Sequence, residues 1–331
     1  MAHPLPVATL ALLLMLAVGG PALGGQLTTP DARVVPADQS ARMVDDAVRT
    51  RFDGLSSSRM QVLLPPNAAS SGPARTEVGR LAGIESVSPP EMLPDGSSSV
   101  VVVADADPLS DAGQDLLAEV RGSPWPAGTL IGGRAAELSD QRSSIVDSAP
   151  TVVAVVVVTN LLLVLMMVRS LLLPLISIGL NALTVIASYG IMVVLFEHRT
   201  TAELLGAGVQ DGVDVSVPIL AFAVVFGLST DYGIFLFSRI SEARATAGSE
   251  QAAITEGLAV SGRLISSAAV IFSVAIGVNV FSGLVIVKEF AVAVAVAVLL
   301  DATVVRGLLV PALLRMLGAR AWWPEARQAT E

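Results

Sequence analysis

The chain contains no cysteine, a single lysine (Lys288), two histidines (His3 and His198) and only 15% charged residues in 331. Without cysteine there is no disulfide framework and no thiolate metal site. With two distant histidines a histidine-rich metal centre is excluded as well. The sequence also lacks a Walker-type phosphate loop, a glycine-rich dinucleotide fingerprint and a Ser-His-Asp set, so no cofactor, metal or hydrolytic chemistry is expected. The net charge is −9. Acids concentrate in residues 30–147 while basic residues flank the apolar runs, which gives nucleic acid nothing to bind. What replaces the missing charge is apolar. The chain is 53% hydrophobic with a mean hydropathy of +0.71, against about 45–50% apolar and about 25% charged residues in soluble domains. That balance belongs to a membrane protein.

Six apolar runs supply the spans. Residues 5–24 end in a small-residue stretch, Ala22-Leu23-Gly24, that fits a cleavable signal peptide. Five longer runs follow, however, and a retained first helix over 1–25 is the preferred reading. The five lie at about 150–168, 171–196, 215–238, 264–284 and 286–310 within a bundle spanning 148–317, each near the roughly 20 residues a span needs. Arg169, Arg239, Arg244, Arg263, Arg315, Arg320 and Arg327 sort to one side. The positive-inside rule then places both termini, a loop over 239–263 and a tail over 318–331 in the cytoplasm, with residues 26–147 outside the inner membrane. Trp322 and Trp323 would sit at the cytoplasmic interface. No second copy of the six-span pattern exists within the chain.

Residues 26–147 change character: polar, acidic and rich in Pro, Ser and Gly. Strands are expected at 59–64, 84–87, 99–104 and 128–131, with helices at 73–81 and 109–120 and a further helix at 41–52. The order β-α-β-β-α-β is the ferredoxin-like arrangement. From Ala135 a helix is expected to run straight into the second span. The fold class is therefore an α-helical membrane protein of six transmembrane helices, with an extracytoplasmic α+β ferredoxin-like domain between helices 1 and 2.

The candidate functional residues are those that oil should reject. Asp231 lies eight residues before Arg239, which puts its carboxyl about 12 Å inside the boundary at helical rise. An ionisable group at that depth marks function by default. Tyr232 follows it, turned roughly 100° around the helix. A carboxyl balanced between desolvation and a phenol hydrogen bond can carry a proton. Ser267 and Ser273 on the fifth span are possible relay partners, although small hydroxyl residues are also packing glue. Asp301 and Arg306 on the last span are read as structural charges. Five residues apart on an α-helix they diverge, so Arg306 is expected to snorkel to the cytoplasmic face and Asp301 to pair with an arginine from another element. Lys288 and Glu289 are read as interfacial. Two intramembrane aspartates could also mean an aspartyl hydrolase, but neither stands in a Gly-x-Gly-Asp context.

Several stretches together resemble a known family. Gly227-Leu-Ser-Thr-Asp-Tyr-Gly-Ile-Phe-Leu-Phe-Ser-Arg239 is similar to the fourth-span motif of the MmpL transporters of the resistance–nodulation–division superfamily. Arg169-Ser-Leu-Leu-Leu-Pro174, Ser261-Gly-Arg-Leu-Ile-Ser-Ser267, the stretch from Asp301 to Leu314, and Leu317-Gly-Ala-Arg-Ala-Trp-Trp-Pro324 follow in the family's order. The resemblance implies a proton-driven exporter of lipids or other hydrophobic molecules, with Asp231 and Tyr232 matching the tenth-helix relay pair and 26–147 the second porter subdomain. It also implies a partner, because such proteins carry two halves. A matching N-terminal half or a second copy of this chain would complete it. The alternatives are a half-size protein like SecD or SecF that assists protein translocation, and a non-transporting membrane scaffold or remnant.

Overall fold

The computed structural model describes residues 3–28, 35–36, 38–51, 58–66, 71–168, 170–207 and 212–323. The expectations for Phe52, Arg169, Pro324 and Arg327 lie outside the described residues. The chain forms two compact units, Met1–Leu27 with Pro150–Glu331, and Thr28–Ala149.

Helix α1 (Pro4–Gly19) starts on prolines that need no N–H donor there, and continues as a 3-10 turn to Gly24. After the two-residue β1 (Leu27–Thr28) come α2 (Ser40–Arg51), β2 (Arg59–Leu64), α3 (Gly72–Val78), β3 (Ile84–Val87), β4 (Glu91–Met92), β5 (Ser98–Ala104), α4 (Asp111–Gly122) and β6 (Leu130–Gly133). The sheet runs β3-β5-β2-β6 with β4 off β5, and every described pairing is antiparallel. With β4 set aside, that is the ferredoxin-like strand order. β2 alternates exposed and buried residues, as a strand with one covered face should. It sends Met60, Val62 and Leu64 inward to meet Val100 and Val102 of β5 and Leu116, Leu117 and Val120 of α4. The Ser110 hydroxyl caps α4 by accepting from Gly113 N at 3.2 Å.

Helix α5 (Arg134–Val168) is a single 35-residue element that carries Pro150 inside it. It is followed by α6 (Leu172–Met192, with a π turn to Glu197), α7 (Arg199–Leu204), β7 (Val213–Asp214), α8 (Ser216–Arg244), α9 (Glu250–Gly277), α10 (Val285–Leu300), a π-helical segment Asp301–Leu309, and α11 (Val310–Leu317). Six helices are long and apolar enough to cross a membrane. The chain is a multi-pass membrane protein.

α10 opens the span Val285–Trp322, the most enclosed of the six. Its small residues Ala291, Ala293 and Ala297 are fully buried and let neighbours close in. Ser188 of α6 and Ser273 of α9 donate to the Ala293 and Ala295 carbonyls of α10 at 2.7 and 3.2 Å. Two glycines permit the tightest crossings. A Cβ on Gly190 of α6 would run into the Val18 carbonyl of α1, and one on Gly257 of α9 would meet Ile240 of α8.

The connection 239–263, rich in helix formers, is helical over most of its length: α8 runs on to Arg244 and α9 begins at Glu250, leaving a turn over 245–249. The apolar period marked where the membrane ends, whereas the helices continue because their polar ends are well capped. Arg239 bridges Glu242 at 2.7 Å, the Ser249 hydroxyl caps α9, and Arg244 grips Glu250 through two nitrogens at 2.7 and 2.9 Å. Trp322 is buried against the bundle, with Arg244 stacked 4.5 Å above its ring. The tail is tied down beside it, where Ser170 Oγ donates to the Ala321 carbonyl at 2.7 Å and Leu171 N to the Trp323 carbonyl at 2.9 Å.

Candidate functional site

The site forms where α8, α6, α5 and the π segment meet inside the bundle. Helical geometry splits the five residues 229–233 of α8 among different directions. Ser229, Thr230 and Gly233 point inward and are buried, Tyr232 is half-buried, and Asp231 is exposed. Asp231 closes a stripe of exposed residues, Leu220, Ala223 and Gly227, spaced three and four apart on one face of α8. Every other member of that stripe is apolar or glycine. A side chain added at Gly227 would meet nothing within 4 Å.

On the inner face, Arg306 Nε donates to Asp301 Oδ2 at 2.7 Å, with both side chains almost fully buried. The expectation that these two charges diverge, with Arg306 snorkelling and Asp301 pairing elsewhere, is therefore overturned. Residues 301–309 are π-helical. The i→i+5 repeat of a π-helix stacks positions five apart, which an α-helix would separate. The same guanidinium donates through Nη2 to the Ser229 carbonyl and, at 2.9 Å, to Ser229 Oγ. Arg306 thus locks the last span onto α8 beside Tyr232, whose ring centroid lies 5.9 Å from its guanidinium carbon.

Ser229 Oγ also lies 2.9 Å from Asp301 Oδ1 and 2.5 Å from Asn181 Oδ1. A hydroxyl has one proton and two lone pairs. If it gives the proton to Asp301, Asn181 must present its NH2 group instead, and the oxygen and nitrogen of an amide are exchangeable by a flip. That orientation also gives Asn181 Nδ2, which otherwise has no partner, a role. The result is a buried ion pair in which Ser229 bonds to Arg306, Asp301 and Asn181 together. On the adjoining side, Asn160 Nδ2 of α5 donates to Thr230 Oγ1 at 3.0 Å.

The structure does not bring the remaining candidates into this cluster. Ser267 is exposed on α9. Ser273 is buried, but its hydroxyl is committed to the Ala295 carbonyl. Asp231 and Tyr232 diverge, the first outward and the second toward Arg306. Asn160, Asn181, Ser229 and Thr230 were not singled out in the sequence. The two asparagines carried a readable signal, since each is a solitary amide within an apolar run.

With this geometry in place, comparison with known proteins is informative. Residues 78–331 match the MMPL family. The chain belongs to that family. A membrane protein of Streptomyces coelicolor is 32% identical over 310 residues, which cover 93% of this chain and 43% of that protein. The trehalose monomycolate exporter MmpL3 of Mycobacterium tuberculosis is 31% identical over 96% of this chain and 35% of its own length. The chain thus spans less than half of either relative. Among solved structures, SecDF in its super-membrane-facing form has a TM-score of 0.51 at 16% identity, covering all of this chain and 39% of that one. This likeness is one of fold.

Proposed function

We propose that this MMPL-family chain works as the second half of a proton-motive-force-driven exporter, moving lipids or other hydrophobic molecules across the inner membrane. The observation that carries the reading is the direction of Asp231. A carboxyl facing hydrocarbon from an otherwise apolar stripe costs several kcal/mol, unless something polar covers it or it is protonated. A second six-helix bundle against the α8 face, from a matching N-terminal half or another copy of this chain, would supply that cover. Asp231 would then take up and release the driving proton, with Tyr232 beside it. The Asp301–Arg306 pair would hold α8 in register while one bundle rocks against the other. Each charge crossing the membrane contributes about 2.3 kcal/mol per 100 mV, enough to bias such a two-state movement.

The sidedness follows from Arg239, Arg244, Arg263, Arg315 and Arg320. In this reading they mark the cytoplasmic face, with both termini there and the ferredoxin-like unit extracytoplasmic. The trehalose monomycolate that MmpL3 exports favours a lipid as cargo. The test is a chromosomal Asp231→Asn substitution, with the variant's membrane level measured. Lipid accumulating inside cells at normal protein level is the expected result. Unchanged export would refute the relay, and a protein-secretion defect without lipid accumulation would favour translocation assistance instead.

A further inference from the structure

The same helices bury a second set of acids at the end of α8 opposite Arg239 and Arg244. Lys288 and Glu289, expected at an interface, are both buried. Lys288 Nζ donates to the Leu205 and Gly206 carbonyls at 2.6 and 2.9 Å, closing off α7, so this cation is committed to backbone oxygens. Glu289 Oε2 accepts from Asp214 N at 3.2 Å, and Asp214 Oδ1 accepts from Ser216 N at 2.8 Å at the start of α8. Both carboxyl groups belong to residues that are only 1% exposed. Glu289 Oε1 and Asp214 Oδ2 have no hydrogen-bond partner among the described residues. The approach to α8 is fixed around them: Val213 N donates to the Gln26 carbonyl at 2.9 Å, and Gln26 N to Glu197 Oε1 at 2.8 Å.

The charges that bear on Glu289 are those of Asp214 and Glu197, both negative. On the neighbouring elements, His198 lies beside Glu197, α7 carries Arg199 and Glu203 in its sequence, Lys288 turns to α7, and α9 has no charged residue after Arg263. Two buried anions, each with an unpaired oxygen and, among the described residues, with no cation between them, are a costly arrangement. Among the described residues no group of three His, Asp or Glu is placed to hold a metal ion. The ligand that fits is the smallest one.

We propose that Asp214 and Glu289 form a proton-binding site, separate from Asp231, in which the pair holds one proton and β7 is thereby fastened to α10. Binding is the addition of H+ to one carboxylate to give a neutral carboxylic acid, which removes the repulsion between the two buried anions. Burial also holds the Asp214 carboxyl above the usual carboxylate range, against the two opposing bonds from Ser216. The site stands whether or not Asp231 carries protons.

The test is pH-difference infrared spectroscopy of the purified full chain in lipid nanodiscs, reading the C=O stretch of protonated carboxyl groups. Ordinary carboxyls lose that band near pH 4. The wild type should keep protonated carboxyl signal at about pH 7 and lose it on further alkalinisation. Glu289→Gln should remove that component in full with helix content unchanged, because the neutral amide can still accept from Asp214 N and no longer repels the Asp214 carboxylate. Asp214→Asn should remove it too, whereas Asp231→Asn should leave it. A component that persists in the Asp231→Asn background after both Glu289→Gln and Asp214→Asn would overturn the proposal. So would a wild type with no protonated carboxyl left at about pH 7, a result that decides even if both variants fail to fold.

Discussion

At the scale of single residues, the protein buries two charges as a pair and leaves a third, Asp231, exposed on α8. Asp301 and Arg306 satisfy each other, and Ser229 takes up the remaining bonds. Removing one partner of a buried pair leaves an uncompensated charge and costs about 3–5 kcal/mol, whereas replacing both with apolar groups is often neutral. Arg306→Ala should therefore lower the thermal stability of the detergent-solubilised chain sharply, and Asp301→Leu combined with Arg306→Met should recover most of it. A double variant no better than Arg306→Ala would mean that the pair is not the unit. Arg306→Lys should not rescue, because one ammonium cannot span Asp301 and Ser229 as the guanidinium fork does.

Asp214 gives a pH dependence of definite sign. Its folded carboxyl holds its proton to higher pH than the unfolded one, whose value is about 3.9. The folded state then binds more protons than the unfolded state, so this contribution is complete below the unfolded value and is lost as pH rises through the folded one. The melting temperature should fall as pH rises from the unfolded value through the folded one, and Asp214→Asn should flatten the fall. An equal slope in the variant would show that another group is responsible.

At the scale of elements, most of the architecture could be read from periodicity. Apolar runs with no competing signal gave the spans, while polar–apolar alternation in 59–64 and the β-branched run in 99–104 gave the two central strands. The π segment could not be read. Its residues show no local preference that distinguishes i→i+5 from i→i+4, and α-helical spacing predicts that Asp301 and Arg306 point apart. The burial of Lys288 and Glu289 was hidden for a different reason. Their partners are the Leu205 and Gly206 carbonyls and the Asp214 N–H, and main-chain groups leave no mark in a sequence. Helix crossings make a prediction of their own. At Gly257 the Ile240 backbone already occupies the space a Cβ would need, so Gly257→Val should force α8 and α9 apart, at a cost of about 1–3 kcal/mol in unfolding measurements. Gly262, which has open space at its Cβ, should accept valine with a much smaller effect.

At the scale of the whole molecule, the account depends on what covers the outer face of α8. Leu220, Ala223, Gly227 and Asp231 form a continuous exposed stripe, and only its last member is out of place against lipid. Because the chain has no cysteine, a single introduced thiol labels one position without background. The most direct measurement is Gly227→Cys carrying a benzophenone maleimide, photo-activated in native membranes, with Val274→Cys on the exposed face of α9 as the reference. The account predicts a protein–protein adduct at position 227, to a second copy or to a first half identified by mass, and lipid adducts alone at position 274. Lipid adducts alone at both positions would contradict it.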